Sequence, residues 1–160
     1  MNIEHELRLD YSDVLIKPKR STLKSRSEVT LDRTYTFRNS GQTWTGVPIV
    51  ASNMVHTGTY SVYKELEKHR CLTAFHKFYD KASEIYASNV KWDYGIVSTG
   101  ITDADDHKLE YVLKNFTSVK MVCVDVANGY TEMFSDYIRS LRSRFPHITI
   151  IAGNVVTKQS

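Results

Sequence analysis

The sequence predicts an α/β fold in which helices cover a parallel sheet, and three observations carry that expectation. From Val47 onward, short apolar runs alternate with stretches of helical period, the order that builds parallel strands joined by crossover helices. Polar residues gather at the end of each apolar run, where parallel architectures keep their functional face. The composition is that of a globular domain: 160 residues, 41% hydrophobic and 24% charged, with enough apolar side chains to bury a core.

The elements follow in order. In the first forty-odd residues Pro18, Gly41, Gly46 and Pro48 punctuate a "TYTF" alternation, which predicts short strands and a hairpin acting as a lid or base before the repeats begin. The boundary falls between a basic, hairpin-bearing segment, 1–46, and a repeating segment, 47–160. Five strands are expected in the latter: "VPIVAS" (47–52), "LTAFH" (72–76), "YGIVST" (94–99), "KMVCVDVA" (120–127) and "ITIIAGN" (148–154). Between the last two, Tyr130, Met133, Phe134, Tyr137, Ile138, Leu141 and Phe145 recur at helical spacing while Arg139, Arg142 and Arg144 fall on the opposite face, the signature of an amphipathic helix. Leu109, Val112, Leu113 and Phe116 repeat that spacing behind Asp103, Asp105 and Asp106, acids that favour a helix N-terminus. Two further helices are expected over 60–70 and 81–90, making four.

Composition excludes several classes. No apolar run approaches the roughly 20 residues that span a bilayer, and the opening "MNIEHELRLD" is acidic and mixed where a signal peptide is basic and then apolar, so a cytoplasmic protein with no membrane partner is expected. Two cysteines, Cys71 and Cys123, suit neither a disulfide framework nor a zinc site on their own; both read as small buried hydrophobes, and no metal site is expected. Net charge is only +3. Within "KPKRSTLKSR", however, Lys17, Lys19, Arg20, Lys24 and Arg26 stand together without an acid. Such a cluster is a solvated loop or an anion site, and a polyphosphate cofactor suits it as well as RNA does.

The carboxyl ends of the predicted strands supply a polar ring: Ser52, Asn53 and Met54; His76 and Lys77; Ser98, Thr99 and Gly100; Asp125 and Asn128; Asn154. Lys77 directly follows a buried strand, where an ammonium needs an anion or a polar ligand. Asp125 can accept from ribose hydroxyls, pair with a lysine across the face, or cap the following helix together with Asn128. His76 reads as a packed strand histidine. Cys123, between Val122 and Val124, reads as core and not as a nucleophile.

The segments "LDYSDVLIKPKRSTLKSRSEV", "VPIVASNM", "TAFHKFY", "VSTG", "CVDVANGY" and "IIAGNVVT" resemble guanosine monophosphate reductases, with the inosine monophosphate dehydrogenases as wider relatives. They cover nearly the whole chain in order. The resemblance implies a (β/α)8 TIM barrel that uses NADPH to convert GMP into IMP and ammonia in purine salvage. A cysteine thiolate adds to C2 of the purine, ammonia leaves, and hydride then reaches the same carbon. It also implies that Lys77 and Asp125 serve the chemistry, that both contact the cofactor with Val126 and Ala127, and that Ser25 and Arg26 meet the adenosine end of NADPH in a neighbouring subunit. That reading accounts for the basic cluster without nucleic acid. Asn53 and Met54 fall in the stretch that lines the purine pocket.

A (β/α)8 barrel needs about 250 residues, so the expectation is a truncated partial barrel of about five strands and four helices. In the family the nucleophilic cysteine lies beyond the sixth strand, with the potassium-binding loop and much of the GMP-phosphate site. Neither Cys71 nor Cys123 stands in such a motif, and the 160 residues are expected to be inactive by themselves, whereas the full-length family forms homotetramers. Two departures stand out. The family's Asp-Thr-Val-Gly-Thr after Asn-Met is here Val55, His56, Thr57 and Gly58, and its His-Lys-His-Tyr is His76, Lys77, Phe78 and Tyr79. The alternatives are a non-catalytic nucleotide-binding or interaction protein that pairs with full-length subunits, and an inosine monophosphate dehydrogenase. The second is disfavoured because only residues 77–93 separate strands two and three, leaving no room for an inserted regulatory pair of domains.

Overall fold

The computed structural model describes residues 5, 7–80, 84–87 and 90–157. By its internal contacts the chain divides into two units, Met1–Thr30 and Leu31–Ser160.

In the first unit, regular structure among the described residues is limited to two 3-10 turns, Tyr11–Asp13 and Arg26–Glu28. Each exists because a side chain caps it. Asp10 accepts from the Tyr11 amide at 2.6 Å while Asp13 accepts from the Asp10 amide at 2.9 Å, and Ser25 Oγ accepts from the Ser27 amide at 3.3 Å. The described residues of this unit are all exposed.

The second unit opens with the expected hairpin, β1 (Arg33–Thr36) antiparallel to β2 (Thr43–Gly46). Cross-strand threonine pairs Thr34–Thr45 and Thr36–Thr43 close at 2.9 and 3.0 Å, and Tyr35 stacks on Trp44. Gly41 supplies the positive φ of +69° that the connection requires. Five parallel strands follow in sequence order: β3 (Val50–Ala51), β4 (Leu72–Phe75), β5 (Gly95–Thr99), β6 (Met121–Asp125) and β7 (Thr149–Gly153). They make a half-barrel in which β3 and β7 are the edges. The first strand is shorter than its sequence suggests. Pro48 has no amide to donate, and Ile49 turns its amide back onto Val47 O at 2.7 Å.

Helices α1 (Tyr60–Lys68), α3 (Asp103–Asn115) and α4 (Glu132–Arg144) cover one face. Each starts at a threonine: the hydroxyls of Thr59, Thr102 and Thr131 accept from the amides of Val62, Asp105 and Phe134 at 3.2–3.3 Å, a cap worth about 1 kcal/mol. Of the helix expected over 81–90, Glu84–Ala87 forms a single turn, α2; residues 81–83, 88 and 89 lie outside the described residues. Among the described residues, three longer helices and one turn stand where four helices are expected.

The sheet buries two layers. Towards the helices, Phe75, Val97, Val122 and Val124 pack with Tyr63, Leu109, Val112, Leu113, Phe134 and Leu141. On the inner face Leu72, Ala74, Ile96 and Met121 pack with Trp44 of the hairpin, whose indole N–H donates to Asp93 O at 2.8 Å. Since Leu72 and Met121 are the first residues of their strands, the hairpin plugs the amino-terminal end and leaves the carboxyl ends open. The stripe expected along α4 needs correction. Phe134 and Leu141 are buried, but Met133 and Tyr130 are exposed, and Tyr130 precedes the helix. Arg142 does not simply face water. It is half-buried and donates to Pro146 O and Ile148 O at 2.9 and 2.7 Å, satisfying carbonyls beyond the helix end.

Candidate functional site

The carboxyl end of the sheet is shaped by the turn after β3. Thr57 and Gly58 both donate to Met54 O, and His76 donates to Gly58 O at 3.0 Å. A Cβ on Gly58 would lie 2.8 Å from His76 N and would also strike Ala74 O, so only glycine lets the turn press onto β4. That approach presents Asn53. Its Nδ2 donates to Asp125 Oδ2 at 2.9 Å across 72 residues of sequence, joining the end of the first strand to the end of the fourth.

Lys77 is placed by α3. Its Nζ lies 3.4 Å from Asp105 Oδ2, and Thr102 Oγ1 donates to that same oxygen at 2.8 Å while accepting from the Asp105 amide at 3.2 Å. Burial pushes the Asp105 carboxyl up, but the Thr102 hydroxyl and the Lys77 ammonium outweigh it and hold the group below its ordinary value. Lys108 Nζ in turn donates to Lys77 O. A Cβ at Gly100 would come within 3.0 Å of Lys77 Nζ and strike Asp105 Oδ2; the glycine leaves the space this pair fills.

The structure therefore joins Asn53 with Asp125, and gives Lys77 the partner Asp105 where a pairing of Lys77 with Asp125 was one expectation. Capping of α4 by Asp125 and Asn128 is replaced by Thr131 as cap, while Asn128 Oδ1 accepts from the Tyr130 amide at 3.0 Å. Val126 has both main-chain groups engaged, donating to Gly153 O at 2.8 Å and accepting from the Asn154 amide at 2.9 Å, so it offers a ligand chiefly its side chain. Ala127 is exposed beside it. Met54 is 63% exposed. Thr99 leaves the polar ring: it is buried and its hydroxyl bonds Gly100 O and Asp105 O, towards α3. Ser25 and Arg26 lie in the other unit, Ser25 as the cap of its turn.

His76 stacks face to face on Tyr79, ring centroids 4.0 Å apart. Burial, and then the charge of Lys108, depresses its pKa, so it is a neutral imidazole at pH 7. Cys71 is buried. Cys123 is half-buried against the inner core, and burial, with the Asp125 carboxylate second, pushes its thiol up to about 11; it is a protonated thiol at neutral pH. Among the described residues no group of three or more His, Cys, Asp or Glu is arranged to hold a metal ion, and no helix is long and apolar enough to cross a membrane. Sequence reasoning missed Asp105 as a partner for Lys77. It read that acid only as a helix-start signal, although its place five residues beyond Gly100 at a strand end was visible.

Comparison with known proteins gives a consistent result. The model of the IMP dehydrogenase / GMP reductase domain matches residues 8–160. A GMP reductase of Caenorhabditis elegans is 49% identical over 159 residues, covering 97% of this chain and 44% of the relative. One from Klebsiella pneumoniae is 48% identical over 161 residues, covering 98% and 46%. The chain thus spans less than half the length of these relatives. Among solved structures, the inosine 5' monophosphate dehydrogenase of Legionella pneumophila superposes with a TM-score of 0.68 at 23% identity, over 91% of this chain and 44% of that one, a likeness of fold.

Proposed function

Because the chain belongs to the IMP dehydrogenase / GMP reductase family, we propose that its 160 residues supply the cofactor-binding part of a GMP reductase, the cytoplasmic purine-salvage enzyme that reductively deaminates GMP to IMP and ammonia with NADPH. The observation that carries this reading is the Asn53–Asp125 hydrogen bond. It couples the loop read as purine-facing to the strand end read as cofactor-facing, at the open end of the sheet.

The residues present fit a nicotinamide nucleotide. Asp125 is an exposed carboxylate turned by Asn53, suited to accept from ribose hydroxyls. Lys77 offers an ammonium just after β4, at the same end of the sheet but with β5 between its strand and that of Asp125. The bound cofactor would supply the hydride. The chain's part is to orient it and, through Ser25 and Arg26, to meet an adenosine end carried by a neighbouring subunit of a homotetramer.

A second reading is favoured by the cysteines: nucleotide binding without turnover. Neither a buried Cys71 nor a Cys123 thiol titrating at about 11 offers the thiolate that would attack C2 of the purine. We therefore propose that these residues hold NADPH and GMP or IMP but do not convert GMP to IMP alone.

Titrating the purified 160-residue chain with NADPH by fluorescence, and following NADPH oxidation at 340 nm with GMP, tests both. Saturable binding without GMP-dependent oxidation is expected, and Asp125→Ala should weaken it about tenfold, or 1.4 kcal/mol. Absence of binding would refute the cofactor role. GMP-dependent oxidation would refute the claim that the sulfur nucleophile must come from elsewhere.

A further inference from the structure

The pair made by Lys77 and Asp105 reaches beyond that reading. We propose that Asp105 is a positioning residue that holds the Lys77 ammonium at the carboxyl end of the sheet, ready to contact the cofactor, with Thr102 and Gly100 as its supports. The proposal rests on the reading of Lys77 as a cofactor contact.

A lysine carries four rotatable side-chain bonds, and leaving it free would disperse its charge over the whole mouth of the site. Here it is held at both ends. Lys108 donates to the Lys77 carbonyl, and Asp105 receives the ammonium at 3.4 Å. Asp105 is itself fixed, because Thr102 donates to the very oxygen that faces Lys77, at 2.8 Å, while the same hydroxyl caps α3. Position 100 must be open, since a Cβ there would sit 3.0 Å from the ammonium nitrogen and against the carboxylate. At 3.4 Å the pair is long for a charge-assisted hydrogen bond, so a ligand can draw the ammonium away at modest loss. The side chain of Lys77 is 40% exposed against 19% for Asp105: the anchor is sheltered and the anchored group faces out.

The experiment is a double-mutant cycle on NADPH binding by this chain. Asp105→Asn and Lys77→Met should each weaken binding about five- to tenfold, and the double variant should lose no more than Lys77→Met alone. Asp105→Glu should bind within about twofold of the unaltered chain, and thermal midpoints should stay nearly unchanged because a partly exposed pair contributes little to stability. Losses that add in the double variant, or an Asp105→Asn chain that binds as before, would overturn the proposal. A second measurement needs no cofactor. The Asp105 carboxyl, followed by carbon-13 NMR, should titrate at higher pH in Lys77→Met than in the unaltered chain, and an unmoved midpoint would overturn the pairing. Failure of the unaltered chain to bind NADPH overturns instead the proposed function, so the two failures are told apart.

Discussion

The middle of the sheet and its edges are built from the same kind of residue and behave differently. Strand β5 is buried along its whole length, whereas β7, equally apolar in sequence, is buried only at Thr149. Ile96 of β5 has no exposed surface, but Ile151 of β7 is 42% exposed and Val50 of β3 is 48% exposed. All three are β-branched residues that suit a pleated, half-buried surface. What separates them is neighbours: β5 pairs on both sides, and β3 and β7 on one. Burial here is a property of pairing, and the edge strands leave apolar side chains exposed.

The largest effect expected from this contrast is in stability. Ile96→Ala should cost about 2–5 kcal/mol, the range for deleting a fully packed aliphatic side chain, while Ile151→Ala should cost under about 1 kcal/mol. Urea unfolding of the two variants measures the difference. Equal losses would break the comparison, since they would mean that the β7 edge is covered in solution. The next effect is on assembly. An open pair of edges bearing Ile49, Val50, Ile151 and Val156 should drive self-association of the 160-residue chain, and Ile151→Lys, a charge on the edge strand, should reduce it. Sedimentation velocity across a concentration series reads this directly. A single monomeric boundary for the unaltered chain would show that the edges tolerate water.

What was legible in the sequence divides along the same line. Strand order, the hairpin, and helices α3 and α4 could be read because each depends on local period and on caps within a few residues, as Thr102 and Thr131 demonstrate. The length of β3 could not, because it depends on having one neighbour and on Pro48. The exposure of Met133 could not either, because periodicity marks a helix face without saying what packs against it. At the candidate site, the strand-end rule located Asn53, Lys77 and Asp125, but which of them touch is decided by the turn at Gly58 and the first turn of α3, elements 19 and 28 residues away from Lys77 in sequence. Partners of that separation leave no local pattern to read.

The smallest expected effect sharpens the comparison from the helix side, where α3 and α4 lie over the well-buried strands. Arg144 grips Asp106 with two nitrogens, at 2.6 and 3.1 Å. Burial pushes the Asp106 carboxyl up, yet the hydrogen bonds and the charge of the Arg144 guanidinium outweigh it, so the group titrates below its ordinary value. A carboxyl depressed in the folded state contributes stability that is fully present above the unfolded value, about 3.9, and is lost as pH falls through the folded one. Asp106→Asn should therefore cost about 1 kcal/mol at pH 7, the upper end for a pair that remains partly solvated. The gap between variant and unaltered chain should narrow below about pH 4 and vanish once Asp106 is protonated in the folded as well as the unfolded state. Thermal unfolding at a series of pH values checks the sign. A gap that instead widened in acid would mean that the Arg144 contact is not what depresses the carboxyl, and that α3 and α4 are joined by their apolar faces alone.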